Sequence, residues 1–187
     1  IRRAQAVRAF IVEHNISKYN IDVLQTPDWV AQSHGKVVVF VPGQVEDDAS
    51  IQFGCTTVKT NLDLLKSARA AHPDGFIVYK PHPDVMAKNR VGALALDSAR
   101  QFADVIEVHT SVVSCIHACD EVHTMTSLTG FDALLRGKKV VVYGRPFYAG
   151  WGLTEDKGEA FAEGRRERAL SLDELVAGAL LHYPLYY

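Results

Sequence analysis

The segment KVVVFVP at residues 36–42 constrains this chain more than any other. Four apolar strand formers in succession, Val37 to Phe40, cannot alternate between a core and water, so they suit a strand covered on both faces, as in a parallel sheet. GFIVYKP at 75–81, DVIEVH at 104–109, EVHTM at 121–125 and KKVVVYG at 138–144 repeat the rhythm. Helical patterns lie between them: Asn61 to Ala71 with Leu62, Leu65 and Ala68 on one face, Val91 to Phe102, Ser111 to Ala118, and Thr129 to Arg136 stopped by Gly137. Strand then helix, five times over, predicts an α/β fold with a doubly wound parallel sheet. A leading helix over 2–13 carries Ala6, Val7, Phe10 and Ile11 on one side, and the polar stretch Gln32 to Gly35 connects it to the first strand. SLDE at 171–174 reads as a capping box opening a last helix that runs to about Leu181.

Composition narrows the classes. A chain of 187 residues suits one domain or one and a half. An apolar fraction of 48% with 22% charged residues excludes disorder and coiled coil, and no apolar run approaches the length of a membrane span. A net charge of −2 offers no bulk field for nucleic acid, so any anion must be bound locally. Three cysteines (Cys55, Cys115, Cys119) are too few for a disulfide framework and suggest a reducing compartment, by default the cytoplasm. The chain opens with Ile1, lacks a signal-peptide pattern and has no Met before Met86, which reads as a piece of a longer polypeptide.

In an open parallel sheet, ligands bind beyond the carboxyl ends of the strands, so four loops carry the chemistry. PGQVEDDAS (42–50) sets Glu46, Asp47 and Asp48 between Gln44 and Ser50; its bland reading is a solvated turn. KPHPDV (80–85) holds His82 between two prolines that stiffen its backbone, beside Lys80, which suits phosphate binding or proton transfer. His72-Pro73-Asp74 precedes its strand on the opposite rim and reads as a plain turn. TSLTGFDALLRG (126–137) opens a helix whose free N–H groups, with Ser127, Thr129 and Gly130, form an anion site. Thr129 and Asp132 are also spaced as a capping box, and Asp132 is placed for a ribose hydroxyl. GRPFYAGWGLTED (144–156) brings Phe147, Tyr148 and Trp151 to roof a pocket or pack on the sheet edge, packing being the expected role of Phe147.

Cys115, His117 and Cys119 fall at i, i+2 and i+4 of an expected helix, which turns His117 away from the thiols, so buried small side chains explain them better than zinc. GxGxxG, GxxxxGKS and GxSxG are all missing, against dinucleotide, P-loop and α/β-hydrolase chemistry.

Taken together, SKYN (17–20), VPGQVEDDAS (41–50), KPHPDV (80–85), TSLTGFDALLRGK (126–138) and YGRPFYAGWGLTED (143–156) resemble the bacterial capsule polysaccharide biosynthesis proteins that act as β-Kdo transferases. The resemblance implies a retaining glycosyltransferase of GT-B type with two Rossmann-like halves. This chain would be a linker helix and connection (1–35) followed by the C-terminal, CMP-sugar-binding half (36–187), with a Rossmann-like sheet of about five strands. CMP-Kdo would be the donor, with no further cofactor and no metal, and a phospholipid or glycolipid the acceptor in building the β-Kdo linker of Gram-negative capsule. The preceding half of the polypeptide and the capsule assembly machinery would be partners, at the cytoplasmic side of the inner membrane.

Residue by residue, His82 matches the His-Pro motif and Ser127 with Thr129 the Ser/Thr motif that hold the CMP phosphate. Asp48 matches the acid of Gln-x-x-x-Asp-x-Ser, the expected nucleophile, with Gln44 and Glu46 beside it; Gln44 and Ser50 are expected to fix its carboxylate. Where Asp132 stands the family usually has Glu. Lys80, Gly130, Tyr148 and Trp151 complete the expected donor site. Without its other half the chain is expected to show little transfer. Two rivals are a noncatalytic nucleotide-binding scaffold in capsule assembly and export, and a nucleotide-sugar epimerase of related architecture.

Overall fold

A computed structural model describes residues 1–18, 24–86, 96–159 and 165–184. Its centre is β1 (Val38–Pro42), buried along its whole length because β2 (Phe76–Lys80) and β4 (Glu121–Thr124) pair with it in parallel on either side. β3 (Val105–Ile106) lies outside β2, while β5 (Lys139–Val142) and β6 (Glu155–Asp156) extend the sheet beyond β4. The order is β3-β2-β1-β4-β5-β6, all parallel. Six strands therefore stand where about five were expected. β6 is two exposed acidic residues with no apolar pattern to announce it.

Alternate residues of the inner strands enter separate cores, as strand periodicity requires. Val38, Phe40, Phe76, Val78, Val122, Val140 and Val142 face one layer; Val39, Val41, Ile77, Tyr79 and Val141 face the other. The first layer is covered by α1 (Arg2–Glu13), α6 (Val112–Ala118), α7 (Leu128–Leu135) and α8 (Leu172–Val176), the last continuing as π-helical turns to His182. The second is covered by α2 (Ala49–Gly54), α3 (Asn61–Ala71) and α5 (Leu96–Arg100). A short α4 (Pro83–Met86) follows β2. Helices on both faces of a parallel sheet make the fold doubly wound, and its strand order is that of a Rossmann-type domain.

Ser111 caps α6, and Ser171 with Glu174 forms the expected capping box of α8. Other expectations need correction. α1 buries Ala4 and half-buries Val7, Ile11 and Val12, leaving Ala6 and Phe10 exposed, because it docks on α8 and the π-helical turns through the stripe that contains Ala4. Arg8 fastens it to Asp173 at 2.8 Å. α3 buries Asn61, Leu64, Leu65 and Ala68, with Leu62 only half-buried. α7 begins one residue before Thr129 and is capped by Ser127, whose extended backbone (ψ 143°) turns its hydroxyl onto the Thr129 N–H, so no Thr129–Asp132 capping box forms. Residues 91–95 of the helix expected over 91–102, and Tyr19 and Asn20 of SKYN, lie outside the described residues.

The segment before β1 joins the same body. Trp29, in a 3₁₀ turn (Asp28–Gln32), is buried and donates its indole N–H to Glu107 at 3.1 Å. Glu107 also accepts from the His109 and Thr110 N–H groups and the Thr110 hydroxyl. Burial alone would raise its pKa; these bonds reverse the effect and hold it below the ordinary carboxylate value. Among the described residues no helix is long and apolar enough to cross a membrane.

Candidate functional site

The chain leaves β1 in one direction to lay down β2 and β3, then returns to place β4 on the other side of β1. At that switch the loops after β1 and β4 diverge and open a crevice at the carboxyl rim of the sheet. Gln44 spans it. Its side-chain oxygen accepts from the Thr126 N–H (2.9 Å) and the Thr124 hydroxyl (3.2 Å), and its amide donates to the Thr126 hydroxyl at 3.0 Å. Its own N–H donates to Asn61 Oδ1 (2.8 Å) and its carbonyl accepts from Asn61 Nδ2 (2.9 Å). A buried amide with both ends engaged locks the β1 loop against β4 and α3.

The acids of that loop separate into different tasks. Glu46 is half-buried and accepts from the N–H of Asn61, the first residue of α3, at 2.7 Å. Asp47 is exposed. Asp48 is the N-cap of α2 and exposed, its Oδ1 accepting from the Ser50 N–H at 2.8 Å, while the Ser50 hydroxyl lies 3.0 Å from that of Thr126. Ser50 thus holds the Asp48 carboxylate through its backbone N–H, where a bond from its side chain is the expectation. The Gln44 side chain is directed at β4.

The β2 loop stands beside this one. The Gly43 N–H donates to the Lys80 carbonyl at 2.7 Å, and a Cβ on Gly43 would come within 3.2 Å of the His82 backbone nitrogen. His82 is half-buried, and its Nδ1 accepts from the Asp84 N–H at 3.2 Å, which fixes the ring. Lys80 is half-buried too, and its charge acts on Glu107 and Cys115, on the α6 side of the sheet.

Across the crevice, Ser127 and Thr129 head α7, with Ser127 Oγ donating to Thr129 Oγ1 at 3.1 Å. Gly130 is buried against Tyr148, whose hydroxyl donates to the Ser127 carbonyl. Tyr148 is fully buried, so it supports the head of α7 from below and reaches the crevice only through Ser127. Trp151 is half-buried, donates to the Phe147 carbonyl at 2.8 Å, and carries the Arg166 guanidinium over its ring. Phe147 packs on Phe131 and Tyr148 yet remains half-exposed. It walls an open cleft of about 350 Å³ together with Ser50, Phe53, Gly54, Thr126 and Arg145. Thr126, Arg145 and Phe53 were not singled out from sequence. Thr126 adjoins the Ser/Thr motif and could have been; Phe53, 85% exposed, carries no signal because no helical pattern announces α2 in the sequence.

Asp132 lies in α7, nearly buried. Burial pushes its carboxyl up to about 6, and the Arg136 guanidinium offsets only part of that. The folded state then keeps a proton that the unfolded chain releases near the ordinary value, so stability falls as pH rises from about 4 to 6. Asp132→Asn should stabilise the chain by roughly 2–3 kcal/mol at pH 7.5 and by almost nothing at pH 4 in urea titrations. An equal effect at both pH values would contradict this.

Cys115 and Cys119 are buried free thiols, pushed up to about 12 by burial, and His117 contacts Asn15 instead at 3.0 Å.

Known proteins resemble this chain in sequence and fold. The chain is 49% identical over 183 residues to the capsule polysaccharide modification protein LipA of Neisseria meningitidis serogroup B, which covers 98% of the chain and 25% of LipA. It is 39% identical to the lipopolysaccharide-processing protein LpsZ of Rhizobium meliloti, over all of the chain and 41% of LpsZ. Among solved structures, a Thermosulfurimonas dismutans KpsC beta Kdo 2,7 transferase superposes with a TM-score of 0.77 at 45% identity, covering 99% of the chain and 53% of that protein. A KpsC beta Kdo 2,4 transferase from the same organism gives 0.79 at 30%, covering 95% and 54%. The chain thus spans a quarter to two fifths of these curated relatives and about half of the solved transferases, whose fold is of GT-B type. The family model for capsule polysaccharide biosynthesis proteins matches residues 1–186, and the chain belongs to that family.

Proposed function

We propose that this chain is the donor-binding half of a glycosyltransferase that moves Kdo from CMP-Kdo, with retention, onto a phospholipid acceptor in capsule biosynthesis. The observation that carries the reading is the Gln44 tie between the β1 and β4 loops. It sets an acid-bearing loop beside a helix N-terminus lined with hydroxyls, at the switch point of the sheet. The likeness to two β-Kdo transferases supports the same reading.

In this reading the CMP phosphate lies at the head of α7, against the Ser127 and Thr129 hydroxyls and His82 Nε2, with Arg145 as the cation of the cleft wall. The ribose approaches Asp132. Asp48 attacks the anomeric carbon as the bond to the phosphate oxygen breaks and CMP departs with the electron pair. The acceptor hydroxyl then displaces Asp48, losing its proton, and the second inversion restores the configuration. Donors on the departing phosphate stabilise its charge. Residues 1–35 serve as the link to the preceding half, which supplies the acceptor side, and the isolated chain turns over little because its cleft is open there. The full-length protein works at the cytoplasmic face of the inner membrane with the capsule assembly machinery.

Calorimetry tests this. The chain should bind CMP, and His82→Ala, Ser127→Ala and Thr129→Ala should each weaken binding roughly ten- to hundredfold. Unchanged affinity in all three would remove the phosphate assignment. The full-length protein should consume CMP-Kdo and leave UDP-sugars untouched. Conversion of a UDP-sugar would favour an epimerase, and CMP binding without transfer would favour a scaffold.

A further inference from the structure

On the opposite rim of the sheet, where the strands begin, His72, Glu121 and His123 converge, and nothing in the donor site uses them. His72, read from sequence as part of a plain turn, is the C-cap of α3 and turns its ring inward. Glu121 and His123 stand two apart on β4, hence on one face of the strand. His72 Nε2 lies 3.2 Å and His123 Nε2 3.4 Å from Glu121 Oε2, and all three ligand atoms fall within 4.8 Å of one another. The two rings meet edge to face with centroids 5.4 Å apart.

We propose that His72, Glu121 and His123 form a binding site for a divalent cation of zinc type, clipping the end of α3 to the start of β4. Two imidazoles and a carboxylate are a donor set that zinc accepts, leaving a fourth position for water. Bonds of ~2.0–2.1 Å place tetrahedral ligands roughly 3.3–3.4 Å apart, which is the separation of the carboxylate oxygen from each imidazole nitrogen here. A small rotation of His72, at a helix end and partly exposed, closes the remaining edge.

The surroundings suit the ion. The Tyr143 hydroxyl lies 3.1 Å from His123 Nδ1 and can accept its proton when Nε2 binds metal, the outer-shell partner that orients ligating imidazoles. Lys139 Nζ sits 3.1 Å from Glu121 Oε2 and 3.2 Å from Glu155, a carboxylate that it shares with Lys157, so the ammonium must leave Oε2 for Glu155 when a cation binds.

The test is a zinc titration of the untagged, metal-stripped chain by calorimetry, repeated with cobalt to record the visible bands of four-coordinate Co²⁺. One equivalent should bind, with those bands and a rise in melting temperature. His72→Gln and Glu121→Gln should each lower affinity at least tenfold while circular dichroism stays native. His123→Gln should do the same, and if so buried a change prevents folding, His72→Gln decides alone. Absence of saturable binding, a stoichiometry well below one, or unchanged affinity in His72→Gln would overturn the site.

Discussion

In the full-length protein, Asp48→Asn should abolish Kdo transfer, by ~10³-fold or more, while CMP affinity and thermal stability change little. The choice of Asn rests on local structure. Asp48 caps α2 through its bond to the Ser50 N–H, and Asn caps a helix as well as Asp does. Asp48→Ala also loses the cap and should cost about 1 kcal/mol in addition. A purely structural Asp48 would therefore spare activity in the Asn variant; a nucleophilic one would not. Asp47→Asn should be mild, and Glu46→Gln milder than Asp48→Asn, because Glu46 acts by holding the first N–H of α3. Mass spectrometry of enzyme with donor should find a Kdo adduct on the peptide containing Asp48. An adduct elsewhere, or substantial transfer by Asp48→Asn, would return this loop to a solvated turn.

The second large effect is expected at Gly130. A Cβ there would run into the Tyr148 ring, 2.7 Å from Cζ and closer still to the hydroxyl that holds the Ser127 carbonyl. Tyr148 cannot retreat, being fully buried and packed on Phe131 and Phe147. Gly130→Ala should destabilise the chain by roughly 3 kcal/mol in urea titration and remove measurable CMP binding, since the head of α7 must shift. Gly137→Ala is the control: with φ +72° just past α7 and open space around it, it should cost only about 1 kcal/mol and leave CMP binding intact. Equal effects of the two would mean that the contact beneath Ser127 does not shape the site.

Sequence alone made much of this legible, for identifiable reasons. Strands β1, β2 and β5 announced themselves because both faces of the sheet are covered and their residues had to be apolar in succession. β6 escaped because an edge pair of two acids needs only backbone bonds. The choice between Ser127 and Thr129 as cap was open, as either hydroxyl can serve and only the backbone angle decides. His82, Ser127 and Thr129 could be placed at the carboxyl rim from their loops, since the fold brings strand ends to one rim, whereas the choice of Asp48 among three successive acids rests on the family resemblance. The bond from Gln44 to Thr126 could not be read, because 82 residues separate them and nothing local marks the pairing. For Tyr148 the loop leaves roofing a pocket and packing on the sheet edge both open, and the donor-site role comes from the resemblance: aromatic loops roof clefts and fill floors with equal ease, and only packing distinguishes the two.

The most direct test of the donor site is amide NMR of the nitrogen-labelled chain titrated with CMP. Saturable shifts should gather at Gly43, Gln44, His82, Thr126, Ser127 and Thr129, on the carboxyl rim beside the β1/β4 switch, with His72, Glu121 and Lys139 on the opposite rim unmoved. No saturable shift, or shifts centred on the opposite rim or on the groove between α1 and the C-terminal π-helical turns, would contradict a donor site at the switch point.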